Sequence, residues 1–497
     1  MNHRAARLSG AVIALALIIS ACGQKPGVNA GGSFGGQVPP GAVVDPETGA
    51  VVDPETGVPF NPGTDPITGI PTTGPNPGDD PTTPGQPEVP AGGGDKTGIT
   101  DTTITIGIHA PTTGAAPIES VVFEKGADLY WRWLAKKGQK VLGRDVKVVF
   151  RNDEYSPTTA VAVCKKMAED QKAFLLIGGA GTDQINACAG YAEPRKIPYL
   201  SPGVQESGLN SRSNYLAVSM TYQAQMAPLV QLLKRVHAKK SLDKYGSLNG
   251  GNGKIKVGFI RPNTPNFNDA DEALKAAVLA ADWEYKAFSV VKEGNSNEAQ
   301  TVASQLQQQG VDIAVPITAP LFTTNLVINA DKNGYKPKWS GIAITNNVNA
   351  MIDTACKGSN PGMEGAIFFS PWPGWKNLVE GKDPEFARAA KELAPSVNNR
   401  KNGDLLYALW GIMRTIHQMF KAAGPDVSRE SFISTGRSFS MKSNLFPTLQ
   451  YSPGNPFGAR DTNVLLGGCD IKGDGVNSQT GAQWITHPDY PGLYSSF

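Results

Sequence analysis

The sequence predicts an α/β protein of two lobes, each a parallel sheet flanked by helices. Three observations carry that prediction. Strand-like runs rich in β-branched residues alternate with helix-length stretches of 3.6-residue apolar spacing, the pattern of parallel βαβ units. The alternation comes in two series, parted by a break ahead of residue 254. A hydrophobic content of 40% over 497 residues allows two or three ordinary domains with sizeable cores and excludes wholesale disorder.

At the N-terminus, Arg4 and Arg7 precede a short apolar run at 11–19, too short to span a bilayer as a stable helix. No later stretch reaches the roughly 18 apolar residues a span requires. Residues 23–97 then change character. Proline is concentrated there, aromatics are almost missing, AVVDPETG occurs in tandem at 42–49 and 50–57, and DPITG follows at 65–69. Asp-Pro starts turns and glycine breaks regular structure, so the unit is not expected to grow into a helix or strand. With so few large apolar residues it cannot offset its own ordering entropy. Residues 22–98 are therefore expected to form a disordered, semi-extended tether, spanning on the order of 50 Å as a coil. The same low complexity also admits an adhesion or cell-wall-binding repeat.

The body, 99–497, opens with the strand TTITIGIHA (102–110) and the helical stretch SVVFEKGADLYWRWLAKKG (120–138). The strand DVKVVFRND, the helix PTTAVAVCKKMAED, the strand AFLLIGG, the helix TDQINACAGYAEPR and the strand IPYLSP complete the first series. The second runs strand KIKVGFI, helix DADEALKAAVLAA, strand EYKAFSVV, helix NEAQTVASQLQQQG, strand VDIAVPI and helix LFTTNLVINADKNG. LYALWGIMRTIHQMF (406–420) reads as a buried helix in which His417 is packing.

Several function classes lack support. With 46 basic and 44 acidic residues the net charge is +2, which gives no reason to expect nucleic acid as a partner. GxSxG, HExxH and GxxxxGK are all missing, so no enzyme is expected. The five histidines (His3, His109, His237, His417, His487) fall in no metal-ligand spacing, and neither metal nor cofactor is expected. DIKGDG (470–475) lacks the acids a calcium loop needs and reads as a tight turn. Cys164, Cys188, Cys356 and Cys469 include no CxxC. In an exported chain they suggest two disulfides, with three connectivities open and four buried thiols as the plainer reading.

Ligands of open α/β sheets bind beyond the carboxyl ends of the strands. The loops there (109–119, 179–184, 201–207, 261–270, 316–321 and 341–347) are rich in Thr, Asn, Gly and Pro and hold no charge cluster. That suits a small polar ligand better than a polyphosphate. GGAG (178–181) follows a strand and opens a helix, so the backbone N–H groups of Gly181 and Thr182 form a cradle for an anion or polar group. No GxGxxG follows the first strand, which argues against a dinucleotide. In SPWPGW (370–375), Trp372 and Trp375 either floor a cleft, stacking on a flat or apolar ligand, or pack the lobe boundary.

Ile19, Ser20, Ala21 and Cys22 resemble the lipobox of bacterial lipoproteins, with Ile where that pattern normally has Leu. The resemblance implies a signal peptide over 1–21, a diacylglycerol on Cys22, and an extracytoplasmic protein lipid-anchored to the bacterial cell membrane. An ordinary signal peptide with an incidental cysteine is the plainer reading.

GITDTTITIGIHAPTTGAA, VFEKGADLYWRWLAKKG, FLLIGGAGT and RKIPYLSPGVQESGL resemble the first lobe of class I periplasmic binding proteins of the branched-chain amino-acid type. These are the receptor subunits of ABC importers. The resemblance covers roughly 98–497 and is strongest over 100–270. It implies three hinge crossings, near 215–220, 366–371 and 445–451, joining lobe one (about 100–218 and 370–447) to lobe two (about 222–366 and 450–497). That sorting favours the pairs Cys164–Cys188 and Cys356–Cys469. The ligand's carboxylate would be held by Thr182 beside Gly181, helped by Gly203, Val204 and Gln205 after the fourth strand. His109, Thr112, Thr113 and Glu119 are offered by the first loop. Asn266 or Phe267 falls where an aromatic is common, and Thr318 and Ala319 where another often sits; Trp372 completes the set. The acid that pairs with an amino acid's ammonium is not evident, since the corresponding loop GIAITNN places Ala343 there. An ammonium buried without a carboxylate is costly, so either Glu119 substitutes or the ligand is not an α-amino acid.

The implied function is a monomeric solute-binding protein without chemistry of its own. It would carry a small polar or amphipathic metabolite, an amino acid or related compound, to ABC permease subunits, the ligand favouring closure. A ligand-sensing receptor of the same fold, signalling to a partner protein, is the alternative.

Overall fold

A computed structural model describes residues 43–44, 51–52, 93–202, 207–238, 254–342, 348–357, 362–443, 445–472 and 481–495. The chain divides into two units, Met1–Gln86 and Pro87–Phe497. In the first, Val43–Val44 pairs antiparallel with Val51–Val52. The expectation that the repeat forms no strand is corrected here: Val43, Val44, Val51 and Val52 are β-branched and form a short ladder. The apolar leader and Cys22 lie outside the described residues.

The second unit holds two main sheets. The first runs in the order β2 (Asp145–Asn152), β1 (Thr103–Ala110), β3 (Leu175–Gly178), β4 (Tyr199–Ser201), β5 (Tyr215–Ala217), all parallel. β1 is flanked on both sides, and Ile104, Ile106 and Ile108 point from it into one core, as a run buried on both faces should. The second sheet has a parallel centre: β6 (Lys256–Pro262), β7 (Glu284–Val290), β8 (Ile313–Pro316), β9 (Lys338–Gly341) and β10 (Ile367–Ser370). Two C-terminal strands, β13 (Asn463–Ile471) and β14 (Gly481–Thr486), extend it antiparallel beyond β10. Between β10 and β13 in sequence, β11 (Ser440–Met441) and β12 (Leu449–Gln450) form a separate two-stranded ladder.

Helices follow the strands. α3 (Pro157–Glu169) starts where the sequence signals it: the Ser156 hydroxyl accepts from the Thr159 N–H at 3.3 Å and Pro157 takes the first position. α4 (Thr182–Ala192) follows β3, and α5 (Tyr222–Ala238) leads from the first sheet to the second. α6 (Asn268–Ala280), α7 (Ser296–Gln308), α8 (Pro320–Lys332) and α9 (Asn349–Ala355) belong to the second series. α10 (Pro384–Leu393), α11 (Gly403–Ala423) and α12 (Arg429–Gly436) return to pack with the first sheet, sharing its core through Phe386, Leu406, Trp410 and Phe432.

The stretch expected as one helix over 120–138 is two, α1 (Ser120–Gly126) and α2 (Leu129–Lys136). Gly126 is a weak helix former, and its bare Cα lets Leu406 approach: an added Cβ would lie 2.6 Å from Leu406 Cδ1. Arg132 donates both to Asp128 and to the Lys125 carbonyl that the break leaves without its helical partner.

Cys164 is bonded to Cys188, across α3 and α4, and Cys356 to Cys469. His417 lies in the core with its Nδ1 2.8 Å from the Tyr130 hydroxyl, and burial pushes it down to about 4, so it is neutral near pH 7. Among the described residues no helix is long and apolar enough to cross a membrane. DIKGDG runs from the end of β13 out of the described residues.

Candidate ligand-binding site

The carboxyl ends of β1 and β3 face the first turns of α8 and α9 from the second sheet, and a chamber of about 330 Å³ lies between them. Ile108, Val122, Phe123 and Ile177 form its wall on the first-sheet side, and Leu405, Leu409 and Ile412 of α11 close it behind. Leu321, Thr324 and Met351 face them from α8 and α9. The charged residues among its described lining, Glu119 and Lys401, pair with each other, and Asn402 donates to Glu119 at 2.8 Å. Those two donors hold the Glu119 carboxyl below its usual range.

Under the chamber floor His109 is fully buried. Its Nδ1 is 2.7 Å from Asp153 Oδ2 and its Nε2 2.7 Å from the Tyr199 hydroxyl. Gly178 makes this possible, because a Cβ there would lie 1.8 Å from His109 Nε2. His109, Cys164 and Cys188 bring three ligand-type atoms within 4.8 Å of one another. The two sulfurs are joined to each other, so neither is a thiolate that could hold a metal.

A second, polar cleft adjoins the chamber, sharing Ala180 and Pro320 with it. Its free volume is about 20 Å³, room for about one water molecule. Here the Thr182 hydroxyl is 3.3 Å from the Tyr222 hydroxyl, and the Tyr222 ring stacks on Phe267 with centroids 5.8 Å apart. Glu293, from the turn after β7, accepts the N–H of Ala319 at the start of α8. Burial pushes its carboxyl up to about 7, and Asp183 nearby adds to the rise against the Ala319 hydrogen bond. Asn266 of the second series donates to Asp183 of α4 at 2.6 Å, tying the two sides of the cleft.

Tyr155 also lines this cleft, on a strained backbone: Glu154 and Tyr155 both have φ of 56°. Left-handed conformations cost a non-glycine residue, two in succession doubly so, and such strain gathers at functional sites. The Glu154 N–H donates to Asn152 Oδ1 and the Tyr155 N–H to Asp153 Oδ1, each at 3.0 Å, fixing the turn.

The profile of one family, described as periplasmic binding protein, matches residues 103–464. The chain belongs to the periplasmic binding protein family. Solved structures similar to it share the fold at low identity. A fatty acid ABC transporter substrate-binding protein from Thermomonospora curvata is 17% identical, with a TM-score of 0.59 over 79% of this chain and 95% of that one. A leucine-binding protein from Thermotoga maritima is 15% identical, TM-score 0.58, over 78% and 99%. An ABC transporter solute-binding protein from Rhodopseudomonas palustris, in complex with benzoate, is 14% identical, TM-score 0.54, over 78% and 99%. No curated protein matches in sequence.

In this periplasmic binding protein the residues singled out from sequence divide between the two cavities. Gly181, Thr182, Phe267 and Thr318 meet in the polar cleft. His109, Glu119 and Trp372 border the chamber. Thr112 and Thr113 line neither; both are bonded to Asn152 instead, the Thr112 N–H at 2.8 Å and the Thr113 hydroxyl at 3.0 Å. Gly203, Val204, Gln205 and Ala343 lie outside the described residues. Trp375 is buried against Gly403, whose added Cβ would lie 2.0 Å from the Trp375 Nε1.

Sequence reasoning missed Tyr155, Tyr222 and Glu293. Glu293 stands in KEGNS (292–296), a polar turn like any other in one dimension. Tyr222 carried a usable signal, as the first residue of the helix after an expected crossing. Tyr155 carried none, since what sets it apart is a backbone conformation.

Proposed function

We propose that this protein is the lipid-anchored, extracytoplasmic receptor of an ABC importer, delivering a small amphipathic metabolite, an amino acid or a related compound. One observation carries the reading: a polar cleft containing Thr182, Tyr222 and Glu293 adjoins an apolar chamber at the carboxyl ends of the strands. With room for about one water molecule, the cleft admits only the tip of a polar head, Thr182 at the start of α4 facing a carboxylate and Glu293 an ammonium. Glu293 supplies the acid not evident in the loop holding Ala343, while Glu119 is engaged by Lys401 and Asn402. The similar proteins named above are described with leucine, a fatty acid and benzoate, each an apolar body with one carboxylate. We place Cys22 at the membrane as lipid anchor and residues 22–98 as tether to a monomeric body.

Binding of the solute is expected to raise the melting temperature in a thermal-shift screen of metabolites. Thr182→Ala is expected to weaken that binding about tenfold, by loss of one hydrogen bond to a charged group; an unchanged Kd in calorimetry would remove Thr182 from the site. Cys22→Ser is expected to move the protein from the membrane pellet to the soluble fraction; if it still sediments with membranes, the anchor lies elsewhere.

A further inference from the structure

We infer that the protein carries a second ligand site, separate from the chamber and the polar cleft, for a small organic anion held by Arg414 and Lys382. The site is a hollow of about 650 Å³, within the range for small-molecule sites. It lies beside two of the stretches by which the chain passes between the sheets, 371–383 and 437–462. Asn377 and Lys382 reach it from the first stretch and Ser443 from the second, while Thr486 comes from the end of β14 and Arg414 from α11. None of its described lining is shared with the other two cavities.

The polar side chains there have given their acceptors to the chain itself. Asn377 Oδ1 accepts the Thr486 N–H, and the Thr486 hydroxyl that of Gly374, both at 3.1 Å. The Ser443 hydroxyl accepts the N–H groups of Phe446 and Leu445 at 3.0 and 3.3 Å. Asp383, the acid among the described lining, is engaged on both oxygens. Its Oδ1 accepts the Phe386 N–H at 3.1 Å, and its Oδ2 accepts from Arg414 at 3.1 Å and from the Tyr407 hydroxyl at 3.3 Å. What is left is donors: two hydroxyls, the Asn377 amide, the exposed Lys382 ammonium, and the further N–H groups of Arg414. Asn463 departs from the pattern, giving an N–H to the Leu445 carbonyl at 2.9 Å. A ligand rich in acceptors meets these donors, and a negative one gains most from a guanidinium and an ammonium. Pro373, Pro384, Pro488 and Pro491 add rigid apolar walls. With the volume, they suit the carbon body of an organic anion better than a bare ion.

The test is calorimetry on the full chain with phthalate and phenyl phosphate, and with uncharged phthalamide as comparator. One equivalent of anion is expected to bind, and phthalamide is not. Binding of phthalate alone assigns carboxylates to the site, and of phenyl phosphate alone phosphate monoesters. Arg414→Gln should weaken the anion more than tenfold. Because that change also touches the Asp383 pair, Lys382→Glu is the second variant. At its exposed position it should weaken binding about five- to tenfold, with the melting temperature of the free protein unchanged. Lys391→Glu, equally exposed on α10 but lining none of the three cavities, should leave the affinity as it is. The site is overturned if neither anion binds, if phthalamide binds as tightly, if binding survives both Arg414→Gln and Lys382→Glu, or if Lys391→Glu weakens it equally. The receptor reading stands in each of these cases, since none of its residues lines this hollow.

Discussion

Gly178→Ala is expected to destabilise the folded protein by about 3 kcal/mol, the upper range for forcing one extra carbon into a packed interior. The added methyl would fall 1.8 Å from His109 Nε2. The ring has nowhere to retreat, because Asp153 holds one nitrogen and the Tyr199 hydroxyl the other, each at 2.7 Å in a fully buried setting. Relief requires breaking one of those bonds, leaving a buried polar atom unsatisfied, or moving β3 away from β1, which disturbs the chamber floor. Urea unfolding should show a lower midpoint at unchanged slope, together with weakened solute binding. Gly294→Ala is the matched control: nothing lies within 4 Å of its added Cβ, and its effect should stay within about 0.5 kcal/mol. Equal effects at the two sites would mean that the histidine is free to move.

Asp404 is expected to make stability fall as pH rises from about 4 to about 7. This aspartate, 3% exposed, stands in the first turn of α11, where it accepts the N–H of Asn349 at 2.6 Å and that of Leu405 at 2.8 Å. Burial pushes its carboxyl up to about 7 from an ordinary 3.8, against the pull of those N–H groups. The folded state therefore keeps its proton over an interval where the unfolded chain has released it. Folded protein binds more protons there, so stability declines with rising pH and levels off above the folded value. The full span corresponds to a loss on the order of 4 kcal/mol. Asp404→Asn removes the titration and should flatten the profile measured by denaturant unfolding at a series of pH values. Glu293, also pushed up to about 7, contributes in the same direction, and His417, pushed down to about 4, in the opposite one. A difference between the wild-type and Asp404→Asn profiles that does not fall over this interval would show that Asp404 is ionised in the folded protein.

The strand–helix order could be read from the sequence because each element carries its own signal: β-branched alternation in TITIGIHA, a Ser-Pro start to α3, a proline opening α8. The pairing of Cys164 with Cys188 followed from the lobes implied by resemblance, and the structure joins those sulfurs. What could not be read was decided by approach between distant segments. Position 126 has no room for a side chain because Leu406, 280 positions away, takes the space a Cβ would need. Of the candidate site, Thr182 was named from the glycine-rich turn that opens its helix and from the family resemblance, and Phe267 from the resemblance alone. Glu293 was not, because its significance lies in facing Thr182, Tyr155 and Tyr222 across a cleft, a relation with no periodicity in the chain. The β13–β14 extension of the second sheet was missed for a related reason: its register is set by β10, almost a hundred residues earlier.

α5 connects the two sheets, and it does so without a seam. Its Met226, Leu229 and Leu233 belong to the same apolar cluster as Cys188 and Tyr199 on one side and Val257, Phe259 and Ile313 on the other. A chain that crosses between lobes through a shared interior does not behave as two balls on a string. Any relative motion of the lobes would have to keep that interior dry.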